Sequence, residues 1–472
     1  MYIVFSFLGN AGEEFEKEFL GIWGYLTSLP GVGGRIKQTA EDFVVEEVPL
    51  LPPAEEHGKY TIAKITLRNW ETNRFVMIAA RKLGIPSKAI HFSGTKDKRA
   101  VTTQYMSFSC EPEKLKELDL ADVKVEDVYT SSQRLYLGQL AGNRFTIMLR
   151  DMDVEGDEAQ ARISGIVQDT GGYFPNFFGP QRFGILRPVT HTVGKYIVEK
   201  NFEQAFLTYV GNPPDFEHQI QRYRNTLRQE QHKDEDQKDS DGFIDGFIAR
   251  RNFTQTRDVE QALKEYPDEL KFERMMLSYI HKHPGDYAGA FRVLPKNLLI
   301  MYIHAYQGYL FNQLLSLRLE KGIPLSTPVE GDMVIEIEDP YKDTSSAPKP
   351  FFRVNKENID KITKRVEKGR AAVAGMLFGC STVLSDGIAG ELERTVLERN
   401  KKSDGTLLSN SDFRIEELPE LTTEGSYREL LQKAEELSFS VDGKDALFSF
   451  RLKKGSYATS FLREFTKNGP LG

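Results

Sequence analysis

The amino-acid sequence predicts an α+β protein with sizeable buried cores. Apolar residues make up 40% of its 472 residues and aromatic residues 11%, a composition that excludes general disorder. Segments in which apolar and polar residues alternate, as in strands, occur beside segments whose apolar residues have helical spacing. The length leaves room for roughly three average domains.

Several segments alternate with the period of a strand, so residues two apart should share one face of a sheet. Phe43, Val45 and Glu47 share a face in the first of these segments, and Asn143 and Phe145 share one in the fourth. The segments are EDFVVEEVP, YTIAKITL, VTTQYMSFSC and GNRFTIMLR, followed near the end of the chain by ALFSFRLKKGSYATSFLREF.

Two segments have the spacing of helices. Asn73–Leu83 is the first, and it should end at Gly84. The second is a long amphipathic helix over residues 295–319, followed by Gly322 in the position of a C-cap. By contrast, residues 228–242 are charged and have no apolar periodicity, so we expect a solvent-exposed excursion or linker there.

The cysteines and the apolar runs indicate the cellular compartment of the protein. Cys110 and Cys380 lie far apart and form no CxxC pair, which excludes a disulfide framework and a cysteine-based zinc site. The histidines are scattered, so no metal is expected. The longest apolar run, Leu298–Ile303, is too short to span a bilayer, and the N-terminal segment lacks the basic region of a signal peptide. We therefore expect a soluble cytoplasmic protein.

The charge is distributed unevenly. The chain has 62 basic and 69 acidic residues, and this net charge of −7 argues by itself against nucleic-acid binding. Residues 61–104, however, contain nine Lys or Arg against two acids, Glu71 and Asp97, a local charge of +7. A local basic surface of this kind can bind phosphate groups. The alternative is a solvated basic face that is balanced by acidic neighbours.

The densest cluster of polar side chains is HFSGTKDKRAVTTQ, residues 91–104. If Asp97 points into a pocket, the neighbouring cations favour its ionised form, which is a competent nucleophile. These cations are Lys96, Lys98 and Arg99. The alternative is an ordinary Asx-type turn between two strands. A GTPase is excluded, because Asp97 directly follows Lys96 and the chain lacks a G-x-x-x-x-G-K-[ST] loop.

Further positions carry candidate substrate-binding residues. Asn143 and Phe145 place an amide and an aromatic ring on one face, where they could contact a base, although Phe145 equally fits a core. Glu47 fits either a salt bridge or a ligand to a basic side chain of the site. Arg182, in the segment NFFGPQRFG, could hold phosphate or pair with Asp97, while the same segment could also be a structural corner.

Taken in order along the chain, these motifs resemble an archaeal-like member of the TruD family of tRNA pseudouridine synthases. The resemblance extends from about residue 35 to residue 465. Its most specific element is GxKDxxAxTxQ, which residues 94–104 match throughout. The other matching motifs are DFVVEE, GNRF, NFFGPQRFG, HAYQGYLFNQ and GSYATSFLRE.

The resemblance implies a particular domain organisation. A pseudouridine synthase core, with a mixed, largely antiparallel sheet and flanking helices, would be formed by residues 1–170 and 409–472. A family-specific α/β insertion domain would occupy residues 171–408. The helix over residues 295–319 could pack back on the core.

The resemblance also implies an activity and roles for residues. The family isomerises a uridine of tRNA, typically at position thirteen in the D arm, after the base has left its stack. Asp97 would be the catalytic nucleophile, Asn143 and Phe145 would contact the base, and Lys96 and Glu47 would belong to the active-site shell. The reaction has no redox step and no external group transfer, so no cofactor is expected. The expected partner is tRNA, and the sequence does not indicate an oligomeric state.

Two alternatives stay open at this point. A non-catalytic RNA-binding or chaperone protein of the same fold would have the same basic surface, but modification would not depend on Asp97. A glycoside hydrolase would need a second acid near Asp97, for which Glu47 is available. The Lys- and Arg-rich segment suits a polyanion better than a neutral sugar.

Overall fold

The computed structural model describes residues 13–96, 98–184, 187–211, 234–337 and 351–468, with the backbone alone for residues 234–244. The strands are β1 (Gly33–Arg35), β2 (Phe43–Pro49), β3 (Tyr60–Arg68), β4 (Ile90–Phe92), β5 (Val101–Phe108), β6 (Val123–Ser131), β7 (Leu140–Met152), β8 (Tyr173–Pro175), β9 (Met333–Glu336), β10 (Phe351–Arg353), β11 (Ala371–Leu377), β12 (Ser426–Glu429), β13 (Leu431–Lys433), β14 (Glu435–Asp442) and β15 (Asp445–Lys453).

The α-helices are α1 (Thr72–Leu83), α2 (Pro112–Lys116), α3 (Gly156–Thr170), α4 (Thr190–Val198), α5 (Phe202–Val210), α6 (Asp234–Thr256), α7 (Val259–Glu265), α8 (Lys271–Lys282), α9 (Tyr287–Arg292), α10 (Lys296–Glu320), α11 (Ile359–Glu367), α12 (Gly387–Arg399) and α13 (Ala458–Thr466). Short 3₁₀ turns lie at Ala40–Asp42, Ser87–Ala89, Pro180–Arg182, Asn410–Phe413 and Pro419–Leu421, and a π-helical turn lies at Glu16–Leu20.

Nine of the described strands form one large sheet. Its order is β14-β15-β7-β2-β5-β3-β6, with β1 paired to β7 and β4 paired to β5. Strands β2 and β5 run parallel, whereas the other pairs of this sheet are antiparallel. The prediction of an α+β fold with a mixed, largely antiparallel sheet is therefore confirmed, and the predicted strand segments correspond to β2, β3, β5, β7 and β15.

Helix α1 forms where the sequence predicts it, and its ends explain its length. The Glu71 carboxylate accepts hydrogen bonds from the backbone N–H groups of Asn73 and Arg74 and so caps the N-terminus. At the other end Gly84 has a φ of 63°, a left-handed conformation that glycine adopts without strain. The apolar side of the helix, which includes Phe75, is buried against β3 and β5.

Two groups of helices cover the same face of the large sheet. Side chains of α1 form one core cluster with Ile65 of β3 and Met106 of β5. On the other side of the sheet's centre, Ile163 of α3 and Phe461 of α13 form a second cluster with Phe450 of β15. On this face, the centre of the sheet, where β2 lies beside β5, is therefore flanked by the two groups of helices.

A second sheet and further helices follow the large sheet along the chain. The second sheet has the order β10-β9-β11-β12, and a short pair joins β13 to β8. Helix α10 packs against α4, β11 and α12. Strand β12, which begins at Ser426, belongs to this second sheet although it follows residue 408. The domain boundaries that the resemblance implies stay a prediction.

Helix α10 forms at the predicted position but is buried on more sides than an amphipathic helix. Its Asn312 is fully buried, and the side-chain Oδ1 accepts a hydrogen bond from the backbone N–H of Phe178. The Asn312 Nδ2 donates to the carbonyl oxygens of Leu20 and Phe178. On another side Gly194 of α4 allows close approach, since a Cβ there would lie 2.1 Å from the carbonyl oxygen of Tyr302. The polar side chains of α10 thus anchor separate segments of the chain.

One of the sequence predictions was wrong. The terminal segment does not continue as a strand, because β15 ends at Lys453 and α13 follows it. Every residue of α13 is buried, and its apolar residues Ala458, Phe461, Leu462 and Phe465 have the spacing of a helix, which the strand prediction overlooked. Residues 228–233 of the expected linker lie outside the described residues, and from Asp234 onward the chain is helical, as the beginning of α6.

We expect Asn312→Leu to lower the melting temperature of the protein. The variant would leave the N–H of Phe178 and the carbonyl of Leu20 without partners in a buried place, and each such group costs about 1–3 kcal/mol. Thermal unfolding followed by circular dichroism measures the effect. Asn73→Leu, at an exposed position of α1, is the control. Equal melting temperatures for the two variants would contradict the anchoring role of Asn312.

Candidate active site

One row of side chains crosses the large sheet on the face that the two groups of helices cover. Leu452 pairs with Asn143, and Asn143 pairs with Glu47. Strands β2 and β5 pair in parallel up to Glu46 and Thr103, so the next residues, Glu47 and Gln104, follow side by side, and Gln104 pairs with Ile65. Because directly opposite residues on neighbouring strands point to the same face, three polar side chains lie together between two apolar ones. We call Asn143, Glu47 and Gln104 the polar row.

A buried ion pair lies at the centre of the polar row. The Lys96 Nζ is 3.0 Å from Oε2 of Glu47, and the two side chains are 6% and 0% exposed. The backbone N–H of Lys96 also donates to the Thr72 Oγ1, at 2.9 Å. Thr72 is the first residue of α1, so the segment between β4 and β5 is attached both to a helix and to the neighbouring strand.

The environment of Glu47 disfavours a charge. Burial raises the pKa of Glu47 above its ordinary value, although Lys96 and the backbone N–H of Tyr105 both act to lower it. Taking two charges out of water is costly, and only close contact between the two groups offsets that cost. The geometry of Lys96 is therefore closely tied to that of Glu47.

The polar row contains hydrogen-bonding groups without partners. Among the described residues no partner is found for the Glu47 Oε1, the Asn143 Oδ1, or either amide atom of Gln104, although all of these atoms are buried. Gln104 itself is 0% exposed. Buried polar atoms in proteins nearly always have partners, so this group is suited to a ligand that presents both donors and acceptors.

Phe145 lies two residues beyond Asn143 in β7, on the same face of the sheet, and is part of the core. Its ring stacks on Phe450, with 5.5 Å between ring centres, and meets the edge of Phe43 at 6.1 Å. Only 8% of Phe145 is exposed. The structure thus places the ring beside the site, with most of its surface used in packing, and its contact with a base stays a prediction.

Arg182 lies in the 3₁₀ turn Pro180–Arg182, in contact with other elements. Its guanidinium carbon is 5.1 Å from the centre of the Phe178 ring. A Cβ added to Gly308 of α10 would lie 3.6 Å from the Arg182 Cγ, which places the side chain against that helix. The described contacts of Arg182 are therefore with α10 and the aromatic segment, and not with the Lys96–Glu47 pair.

Asp97, the predicted nucleophile, lies outside the described residues. Around the segment that contains it, most of the cations of residues 61–104 are exposed at the surface. They are Arg74, Arg81, Lys82, Lys88, Lys98 and Arg99. The local positive charge seen in the sequence is therefore presented to solvent near α1 and the segment before β5.

Sequence reasoning did not single out Gln104 and Thr72 as site residues. A signal for Gln104 was present, because it ends the GxKDxxAxTxQ element and has the same parity as the core residues Met106 and Phe108. An amide in a run of core residues usually has a polar neighbour to satisfy it. Thr72 gave no such signal, since its contact with Lys96 depends on how α1 packs.

Comparison with known proteins identifies the family. The family model for tRNA pseudouridine synthase D (TruD) matches residues 19–245 and 237–465. The chain belongs to the TruD family. The resemblance read from the motifs is thereby confirmed, and TruD proteins are isomerases of the tRNA pseudouridine synthase class.

Relatives cover nearly the whole TruD chain. It is 37% identical over 470 residues to the probable tRNA pseudouridine synthase D of Methanococcoides burtonii, covering 97% of this chain and 98% of the relative. It is 38% identical over 457 residues to that of Thermococcus onnurineus, with 96% and 99% covered. A crystal structure of a TruD protein from Methanosarcina mazei matches with a TM-score of 0.76 at 36% identity, covering 97% of this chain and 98% of the other.

The described residues show neither a membrane-spanning helix nor a cluster of metal ligands. None of the helices there combines the length and apolar character needed to cross a bilayer. Nor do three or more His, Cys, Asp or Glu side chains there come together in a way that could hold a metal ion.

We expect Lys96→Met to destabilise the protein more than the double variant Lys96→Met/Glu47→Leu. The single change leaves a buried carboxylate without its partner, which costs about 3–5 kcal/mol, whereas the double change removes both charges. Thermal unfolding of the single and double variants measures the difference. Should the double variant be the less stable of the two, the ion pair would not be the element that holds this segment.

Proposed function

We propose that this TruD protein isomerises a uridine of tRNA, at position thirteen of the D arm, to pseudouridine. The observation that carries the proposal is the polar row with its buried Lys96–Glu47 pair, next to which the GxKDxxAxTxQ element runs. Relatives that match over almost their full length are named tRNA pseudouridine synthase D, which supports tRNA as the substrate.

In this proposal the reaction rearranges bonds within one nucleotide. The bond from N1 of uracil to C1′ of ribose breaks, the uracil rotates in the site, and C5 bonds to C1′. The proton lost from C5 is balanced by the proton gained at N1, so neither a redox step nor a cofactor is needed. The base must leave its stack to reach the sheet, as bases do in other enzymes that act on them.

Asp97 is the nucleophile of the proposed reaction. Its carboxylate attacks C1′ of the ribose or C6 of the base, or promotes elimination to a glycal, and each route returns the carboxylate free at the end. Asp97 directly follows Lys96 in the sequence. Anchoring of Lys96 by Glu47 and Thr72 therefore supports a nucleophile held close to the polar row.

The polar row is chemically suited to hold uracil. The base presents one N–H donor at N3 and two carbonyl acceptors, and it keeps them during rotation. The unpartnered atoms of Asn143, Glu47 and Gln104 include acceptors and an amide donor. Phe145 next to them offers the edge of an aromatic surface, and exposed cations around α1 offer contacts for the tRNA backbone. In the cell, we place this reaction in the cytoplasm.

Asp97→Ala is expected to abolish pseudouridine formation while tRNA binding is retained. The variant loses the nucleophile but keeps the cations and aromatic rings that would bind tRNA. Primer extension on carbodiimide-treated tRNA transcripts maps the product, and filter binding measures affinity. Asp119→Ala, at an exposed position, is the matched control. Unchanged pseudouridine formation by Asp97→Ala would show that Asp97 is not the nucleophile, whereas transcripts left unmodified by the native protein as well would favour the non-catalytic RNA-binding alternative.

Phe145→Leu is expected to lower turnover more than Phe450→Leu does. Phe450 stacks on Phe145 and both are buried, with 0% of Phe450 and 8% of Phe145 exposed, so both variants lose core packing, but only Phe145 lies next to the polar row in β7. Single-turnover rates compared at equal loss of melting temperature separate the two roles. Equal rates for both variants would assign Phe145 to the core alone.

A further inference from the structure

Two guanidinium groups lie against a single aromatic ring. The guanidinium carbon of Arg428 is 4.1 Å from the centre of the Phe178 ring, and that of Arg182 is 5.1 Å from it. The backbone of Phe178 is fixed by Asn312 of α10, whose side chain accepts a hydrogen bond from the Phe178 N–H and donates one to its carbonyl oxygen. Arg428 belongs to β12, so the ring brings together two cations that are far apart in the sequence.

Neither of these two cations forms a salt bridge within the described part of the chain, although Glu429 acts on Arg428 electrostatically. The hydrogen bonds of Arg428 go to uncharged acceptors, namely the Asn176 carbonyl and Oδ1 and the carbonyl of Gly455. The Nε of Arg182 is buried, and the described residues offer it no hydrogen-bond acceptor. Such an arrangement is costly, since like charges repel and a buried donor is left unsatisfied.

The mutual influence of the basic groups agrees with this geometry. The pKa of Arg428 is lowered to about 10, mainly by burial and also by the charge of Arg182, while Tyr457 and Glu429 act in the opposite direction. His304 lies one helical turn before Gly308 on α10, and its pKa is lowered by burial and also by Arg182. An anion bound between these groups would relieve the repulsion and would supply the missing acceptor.

A short stretch of chain connects Arg428 to the polar row. Arg428 donates to the carbonyl of Gly455, which is three residues beyond Leu452, and Leu452 pairs with Asn143. The hydroxyl of Thr459, which follows shortly after, is also buried, with no partner among the described residues. The group is thus within a few residues of the place where the base would be held.

We propose that Arg182 and Arg428, with His304 beside them, bind a phosphodiester group of the RNA chain close to the target nucleotide. The proposal rests on the proposed function, because it takes the anion to be the backbone of the same substrate. Two guanidinium groups with spare N–H donors match a phosphate, because each planar guanidinium can donate parallel hydrogen bonds to two phosphate oxygens. Arg428 also holds the loop at Asn176 and Gly455, so Arg182 is the residue to vary.

The test measures how the affinity for a tRNA transcript depends on salt. Each phosphate contact contributes about 0.7 to 0.9 to the slope of log affinity against log salt concentration. Arg182→Gln should reduce the slope by about that amount and weaken binding about tenfold at low salt. Arg182→Lys should keep the slope, because the charge remains, but should bind more weakly than the native protein, since Lys lacks the planar fork.

Lys264→Gln is the control for loss of a surface charge. Lys264 lies in α7, is 66% exposed and is 3.3 Å from Glu260, so its removal should change neither slope nor affinity. A slope for Arg182→Gln equal to that of the native protein would overturn the proposal, provided that melting curves show both to be folded. Failure of the proposed function would look different, because the native protein would then yield no pseudouridine whatever the Arg182 variants do.

Discussion

The buried ion pair between Lys96 and Glu47 determines the geometry of the site. Both side chains are almost fully removed from water, so neither can relax toward solvent without losing the other. Glu47 is fixed by the register of β2 between β7 and β5, and Lys96 is fixed a second time by Thr72 of α1. A large sheet and a helix thus converge on one charged contact.

Strand register is what allows this contact to form. In a sheet, a shift of one residue would turn every side chain of β2 to the opposite face and take Glu47 away from Lys96. The apolar neighbours oppose such a shift, since Phe43 and Val45 share the parity of Glu47 and are buried in the same core. Burial of the apolar residues of β2 therefore fixes the position of Glu47, whose own burial is energetically unfavourable.

The sequence predicts faces better than it predicts neighbours. Alternation identified Glu47 with Phe43, and Asn143 with Phe145, as sharing one side of their strands, and the structure agrees. It could not predict that β2 and β5 are parallel neighbours, because that pairing depends on contacts between distant segments. For the same reason Gln104 and Thr72 were not predicted as site residues. The error at α13 had another cause: its apolar residues do have helical spacing, but they directly follow the alternating residues of β15, so the whole segment was predicted as a strand.

The unpartnered atoms of the polar row have a thermodynamic consequence. A buried amide such as that of Gln104 lowers stability while its donors and acceptors stay unmatched. A ligand that matches them binds the folded chain and not the unfolded one, so it recovers this loss on binding. In the proposed phosphate site the same reasoning would apply to the guanidinium groups beside Phe178, since an anion bound there would offset their mutual repulsion. In both places the free protein is less stable than its packing would allow, and the difference is available to favour the bound state.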